Sequence, residues 1–207
     1  MKQKIVIIDY HTGNIHSVVK AMNQFKDIVV EVSNNPQAIA SADKIILPGV
    51  GHFGNAMNTL TNLGLIDALN KHVLTNKKPV LGICLGMQLM ASASAEGNCQ
   101  GLNWIPGKVE RLHVTNSTQF KIPHNGWNTL NTEKQNAILS GISSEDAFYF
   151  IHAYQYKPTD ATDVLCTSTY ENSFVSGIAR ENIIGVQFHP EKSHDQGIQL
   201  FQNFIQL

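Results

Sequence analysis

Cysteine is scarce in this chain: Cys84, Cys99 and Cys166 are the three among 207 residues. They are odd in number and form no C-x-x-C pair, which suits free thiols in a reducing compartment better than a disulfide framework. An excess of one charge is also missing. Fifteen Lys and Arg against 16 Asp and Glu leave a net charge of −1, and no basic cluster interleaved with aromatics appears, so nucleic acid is not an expected partner. Long apolar runs are absent. Ile5 to Ile8 is too short for a signal peptide or a membrane span and ends at Asp9, so no membrane association is expected and a cytoplasmic location is. His11, His16, His52, His72, His113, His124, His152 and His194 show no H-E-x-x-H or similar ligand spacing, so they read as surface or satisfied polar residues and no metal is expected. No G-x-S-x-G and no G-x-x-x-x-G-K-[ST] occurs, which argues against serine catalysis and against ATP use by this chain. No cofactor is expected. Low-complexity tracts, internal repeats and linkers are lacking, and 43% hydrophobic residues is ordinary for a globular protein. Residues 1–207 therefore read as a single domain.

What is present divides into two textures. Ile5-Val6-Ile7-Ile8-Asp9, Ile28 to Val32 and Lys44 to Leu47 read as strands. Ile15, Val18, Val19 and Met22 repeat at helical spacing, Pro36 to Ala40 is a short helix with Pro at its start, and Leu63 to Leu74 is a longer one. Alternation of this kind implies βαβ units and an α/β fold, with a mostly parallel twisted central sheet flanked by helices. After Ser94 the chain becomes strand-rich: Trp104 to Leu112, Gly126 to Leu130, Phe148 to Tyr156, Val164 to Thr169, Phe174 to Ala179 and Ile183 to Phe188. Ile198, Phe201, Phe204 and Ile205 mark a closing amphipathic helix that Asp195 could cap.

Pro79-Val80-Leu81-Gly82-Ile83-Cys84-Leu85-Gly86-Met87-Gln88 is the stretch of greatest chemical interest. An apolar strand runs into a helix with Cys84 at the junction, a cysteine version of the G-x-S-x-G elbow. Glycines two positions either side suit a turn in which neighbouring backbone leaves no room for a Cβ. At a helix N-terminus a thiolate is favoured, and the Leu85 N–H is placed to hold a developing oxyanion. Taken alone, a cysteine after an apolar strand also reads as a small buried hydrophobe. Gly49-Val50-Gly51-His52-Phe53-Gly54 matches G-x-G-x-x-G, but it follows the third strand and Asp67, the nearest acidic candidate, sits in a helical pattern. A second oxyanion donor at the same sheet edge is the better use of those glycines than a dinucleotide site.

Gly185-Val186-Gln187-Phe188-His189-Pro190-Glu191-Lys192-Ser193 follows the last strand. Pro190 keeps His189 out of helix, and an extended segment would project His189 and Glu191 to one side. A cysteine nucleophile needs a base to move its proton and a partner to fix that base's tautomer, roles that suit His189 and Glu191. A His-Pro-Glu turn on its own is more often surface structure.

Together these motifs resemble the triad-type glutamine amidotransferases over almost the whole chain, and among them the glutaminase subunits of imidazole glycerol phosphate synthases. The likeness extends through Gly13-Asn14-Ile15 with Ser17, Pro48-Gly49-Val50-Gly51, Ile105-Pro106-Gly107, and Pro123-His124 with Gly126-Trp127-Asn128. It implies a flavodoxin-like amidotransferase fold and a Cys84, His189, Glu191 triad that cleaves the side-chain amide of L-glutamine through a thioester. It further implies oxyanion donors at Gly51 and Leu85, and a glutamine seat formed by Gln88, Glu96 and backbone near Tyr154. The chain has no spare domain for acceptor chemistry, so a separate subunit is expected to receive the ammonia. In the family that subunit is a (β/α)₈-barrel cyclase of histidine biosynthesis, forming a heterodimer. Asn14, Trp127 and Lys192 would face it, although each also reads as an ordinary turn residue, core aromatic or surface charge. Two positions depart from the family pattern: Asn125 where Met is usual, and Ala153 where Ser or Thr tends to follow the histidine. A paralogue feeding a sugar-modifying synthetase, a stand-alone cysteine hydrolase of the same fold and a degenerate binding module are the competing readings.

Overall fold

A computed structural model of the chain describes residues 2–11 and 13–207. The first half holds β1 (Gln3–Ile8), α1 (Ile15–Met22), β2 (Ile28–Ser33), α2 (Pro36–Ser41), β3 (Lys44–Leu47), α3 (Phe53–Asn62), α4 (Ile66–Asn70), β4 (Val80–Ile83) and α5 (Leu85–Gln88). The short strands β5 (Ala93–Ser94) and β6 (Cys99–Gln100) follow, then β7 (Gly107–Arg111), β8 (His124–Thr129) and β9 (Asn131–Thr132). The chain ends with β10 (Ala147–His152), β11 (Tyr154–Pro158), β12 (Val164–Tyr170), β13 (Asn172–Arg180), β14 (Ile183–Val186) and α6 (His194–Gln206).

One sheet runs through both halves in the order β2-β1-β3-β4-β14-β13-β11-β7-β5-β6. Its first five strands are mutually parallel. β3, β4 and β14 are buried at every position, because helices and loops cover both faces and a parallel strand there has no solvent side. Successive residues of β1 feed opposite layers: Val6 and Ile8 join the core that holds Leu47 and Met87, while Ile5 and Ile7 join the one that holds Phe188, Phe201 and Phe204. Each such side chain contributes about 1.5–3 kcal/mol on burial. β8 and β10 form a separate antiparallel pair.

The feature that positions the site is the placement of β14. Strand-forming residues near the end of the chain lie parallel to β4, pairing Ile184 with Leu81 and Val186 with Ile83. The carboxyl ends of these two strands are adjacent, where sites in open parallel sheets form. The Cys84 N–H donates to the Val186 carbonyl at 2.8 Å, and residues 187–191 leave the sheet beside the elbow.

Several expected elements differ. The helix expected over Leu63 to Leu74 is interrupted: α3 ends at Asn62, Gly64 adopts φ +65°, and α4 passes into a wider turn over Lys71–Thr75. The strand expected over Phe148 to Tyr156 breaks at Ala153, and its halves pair with different strands, β10 with β8 and β11 with β7 and β13. Asp195 does not cap α6, because it lies inside the first turn and Ser193 occupies the cap position. An acidic group there still complements the helix dipole.

Candidate active site

The elbow is built as its glycines require. Cys84 takes φ 53° and ψ −107°, a conformation costly for a non-glycine residue and held here by close packing on both sides. A Cβ on Gly86 would lie 1.7 Å from the Leu47 carbonyl oxygen, and one on Gly82 would lie 2.8 Å from the Gly86 carbonyl. α5 is a single turn of four residues, shorter than the helix expected to follow Cys84, so the local backbone shapes the site more than a long helix dipole does.

His189 comes from the loop after β14. Its N–H donates to the Tyr149 carbonyl at 2.8 Å, the Tyr149 N–H donates to Ser193 Oγ at 3.0 Å, and that hydroxyl donates to the His189 carbonyl at 2.6 Å. Strand β10 thus clamps the turn. His189 is extended, but Pro190–Lys192 form a 3₁₀ turn, so this turn rather than a strand's period of two brings Glu191 beneath the imidazole. His189 Nδ1 lies 2.7 Å from Glu191 Oε1, with both side chains almost wholly buried. Among the described residues, neither His189 Nε2 nor Glu191 Oε2 has a hydrogen-bond partner. Burial pulls the His189 pKa down, but the neighbouring Cys84 and the Glu191 carboxylate bonded to Nδ1 together raise it to about 10. The arrangement is a cysteine beside a carboxylate-backed imidazole, with the imidazole fixed through Nδ1 and Nε2 left for the reacting atoms.

Cys84 opens onto a cavity of about 350 Å³ lined by Gly51, Leu85, Gln88, Glu96 and Tyr154, among others, a size suited to a small ligand. Gln88 is buried, and its Nε2 donates to the Tyr154 carbonyl at 3.2 Å and to Gln187 Oε1 at 3.0 Å, leaving Oε1 as the end able to accept from a ligand ammonium. The Tyr154 carbonyl also lies 2.8 Å from His152 Nδ1. With two donors already on it, that carbonyl orients Gln88 rather than serving a ligand itself. One Glu96 oxygen accepts from the Phe53 N–H at 2.8 Å, so the start of α3 is capped by this carboxylate, where a dinucleotide phosphate would otherwise sit.

The two expected oxyanion donors are not equivalent. Gly51 has φ +113°, and no hydrogen bond of its N–H to a described residue is present. The Leu85 N–H instead donates to the Gly49 carbonyl at 3.3 Å. Leu85 is therefore not a free donor as the backbone stands, because the tight loop after β3 turns its own carbonyl into that seat.

The three residues expected to face a partner separate likewise. Trp127 is 50% exposed, so it is not a core aromatic, and it stacks on His194 with ring centroids 5.0 Å apart. Lys192 is exposed, with Nζ 5.4 Å from the centre of the Tyr149 ring. Tyr149 also donates through its hydroxyl to Asn125 Oδ1 at 2.9 Å. Asn14 differs: its Nδ2 donates to Glu191 Oε1, which places it behind the triad. Sequence reasoning missed this contact and the place of Gln187, whose Nε2 lies 3.6 Å from Cys84 Sγ. It also missed the buried His124–His152 pair, joined Nδ1 to Nε2 at 3.1 Å. None of the three has a local signal, since each joins residues at least 28 positions apart. Among the described residues no group of three His, Cys, Asp or Glu could hold a metal ion, and no helix is long and apolar enough to cross a membrane.

An elbow cysteine paired with a carboxylate-backed histidine at the edge of a parallel sheet defines a cysteine-dependent amide hydrolase of α/β type. The family model of class-I glutamine amidotransferases matches residues 6–207, and the chain belongs to that family. Within it the chain groups with the imidazole glycerol phosphate synthase HisH subunits. It is 44% identical over 201 residues to subunit HisH 2 of Methanococcus maripaludis, covering 97% of this chain and 98% of that protein. The identity to subunit HisH 2 of Pseudomonas aeruginosa is 42% over 203 residues, covering 98% and 99%. Among solved structures, a putative GMP synthase protein from Thermoplasma acidophilum shares the fold with a TM-score of 0.74 at 20% identity, covering 100% of this chain and 94% of that one.

Proposed function

We propose that this chain hydrolyses L-glutamine as the glutaminase subunit of an imidazole glycerol phosphate synthase in histidine biosynthesis, with residues 1–207 acting as one glutaminase domain in the cytoplasm. The observation that carries the reading is the constellation of Cys84, His189 and Glu191, in which a buried imidazole is bonded to a buried carboxylate and raised in pKa by Cys84 and that carboxylate together. The Cys84 thiolate attacks the side-chain amide carbonyl carbon of glutamine. As the tetrahedral adduct collapses, His189 gives its Nε2 proton to the amide nitrogen, ammonia leaves and a thioester remains. His189, now neutral, takes a proton from water as that water attacks the thioester, releasing glutamate and restoring the thiolate. Glu191 holds the Nδ1–H and stabilises the imidazolium at both stages. Gln88 Oε1 and the Glu96 carboxylate suit the α-ammonium of the substrate, and the Gly51 N–H suits the oxyanion.

Ammonia that escapes into neutral water becomes ammonium and is no longer a nucleophile, so its acceptor must dock against the mouth of the site. Trp127, Tyr149, Lys192 and His194 supply an exposed aromatic and cationic face beside His189, suited to a (β/α)₈-barrel cyclase partner. The test is glutamine hydrolysis by the chain alone and with such a cyclase and its phosphoribosyl ligand. A large rise on adding both supports the reading, and equal rates with and without them refute partner dependence. Asn125 favours a second reading, because it replaces an apolar residue on this same face and would suit a different acceptor, such as a sugar-modifying synthetase. Co-purification of the native complex separates the two.

A further inference from the structure

Gln187 is wholly buried, yet the glutaminase reading above gives it no task. Its side-chain orientation can be deduced. The Tyr154 carbonyl can only accept, so the Gln88 atom facing it is the amide nitrogen, and the same nitrogen faces Gln187 at 3.0 Å. Gln187 must therefore present Oε1 to Gln88. Its Nε2 is left pointing at Cys84 Sγ, 3.6 Å away. The Gln187 N–H donates to the Ser176 carbonyl on β13 at 2.9 Å, which pins the backbone. A buried amide must be hydrogen-bonded, and here a relay from Tyr154 through Gln88 and Gln187 ends on the nucleophile.

The geometry points to Gln187 as a positioning residue that donates a hydrogen bond to the Cys84 sulfur, stabilising its anionic form and fixing its direction of attack. This deepens the proposed glutaminase reading and rests on it for its catalytic consequence. An N–H directed at sulfur favours thiolate over thiol, because only the anion is a strong acceptor. The Ile151 carbonyl, 3.9 Å from Sγ, is the competing group that would favour the thiol. The charged and titratable groups around Cys84 come from several elements. His189 and Glu191 lie on the loop after β14, with Lys192 beyond them at the cavity rim. Glu96 also lines the cavity, and His152 on β10 is held neutral by burial. Gln187 is the uncharged member of this set, so removing it leaves every charge in place.

The experiment is the rate of Cys84 alkylation by iodoacetamide between pH 5 and 9, read by mass spectrometry of the Cys84 peptide so that Cys99 and Cys166 do not contribute. Gln187→Leu should move the pH midpoint of alkylation upward by about one unit, and so slow alkylation roughly tenfold at pH values below the wild-type midpoint, the scale of one charge-assisted hydrogen bond. Gln187→Glu, which keeps the shape but places a carboxylate against sulfur, should move it further and serves if Gln187→Leu does not fold. Gln88→Leu, which removes the relay's previous link rather than the donor to sulfur, should move it in the same direction by less. A merely structural glutamine would lower the melting temperature and leave the midpoint where it was. Folded Gln187 variants whose midpoint matches wild type overturn the proposal. Because alkylation needs no glutamine, this result is independent of whether Cys84→Ala abolishes hydrolysis, which tests the glutaminase reading by itself.

Discussion

Asn14→Ala separates two accounts of one residue. By family resemblance Asn14 belongs to the partner interface, whereas in the structure its Nδ2 donates to the same Glu191 oxygen that receives His189 Nδ1. Among the described residues Glu191 Oε2 has no partner, and Asn14 and His189 are the side chains seen to hold this buried carboxylate. A hydrogen bond to a charged group contributes about 1.5–3 kcal/mol, and His189 retains part of the carboxylate's order when Asn14 is gone. A loss of about 1–2 kcal/mol in transition-state stabilisation is expected, or roughly 5- to 30-fold in kcat/KM. The assay is glutamine hydrolysis by the chain without its partner, with the same substitution repeated in Glu191→Gln. There the acceptor is neutral and the bond contributes only about 1 kcal/mol, so the two effects should be less than additive by at least about 0.5 kcal/mol. Unchanged partner-free activity in Asn14→Ala, with a defect only in the complex, would refute the positioning role and restore the interface role.

Cys84→Ala should lower glutamine hydrolysis by roughly four orders of magnitude or more while partner binding survives, whereas Cys99→Ala and Cys166→Ala should retain activity. The measurement is steady-state hydrolysis beside a binding titration. Stability should be greatest close to pH 7, where the three lowered histidines and His189 balance. Burial lowers His72 and His124 to about 4 and His152 to about 3, so the unfolded chain binds more protons below pH 6.5 and stability falls as pH drops toward 4. His189, raised to about 10, works in the opposite sense: its contribution is complete below pH 6.5 and is lost as pH rises toward 10. Urea midpoints across pH 4–10 check this, and a midpoint still increasing toward pH 4 contradicts it. Gly86→Ala should cost about 3 kcal/mol or more, because its Cβ would overlap the Leu47 carbonyl at 1.7 Å. Thermal unfolding should read a drop of roughly 6–12 °C for a chain of this size.

Local signals in the sequence carry the parallel half of the fold and the elbow, because both depend on residues close together in the chain. Apolar runs such as Lys44 to Leu47 and Pro79 to Ile83 read as buried strands since a fully covered strand has no polar face to alternate. Cys84 and His189 are legible one at a time, but nothing local says that β14 crosses to lie beside β4. The break at Ala153 is hidden for a related reason. Phe148 to Tyr156 is largely apolar and aromatic, and only the different partners of β10 and β11 divide it. Gly64, by contrast, is a local helix-ending signal that the apolar periodicity of Leu63 to Leu74 masks; its φ of +65° shows why a glycine stands there.

The oxyanion seat is where chemistry and resting geometry disagree, and the disagreement has a physical consequence. Leu85 is the residue after the proposed nucleophile, so its N–H has the right place in the turn to receive a developing negative charge. That N–H donates instead to the Gly49 carbonyl. An acceptor turned toward the seat repels an oxyanion, so the arrangement opposes the tetrahedral intermediate as well as withholding one donor. Reversing it requires the Gly49–Val50 peptide to rotate, at the cost of a hydrogen bond that is individually weak, about 0.5–1.5 kcal/mol. Gly51 at φ +113° supplies a flexible neighbour for that rotation, and the loop lies in the wall of the cavity itself. The His189–Glu191 pair beside Cys84 is therefore in place before the oxyanion seat is. Glutamine hydrolysis by the chain alone is therefore expected to be slow and to rise when a contact at the cavity rim favours the rotated peptide; equal steady-state rates with and without such a contact would refute this.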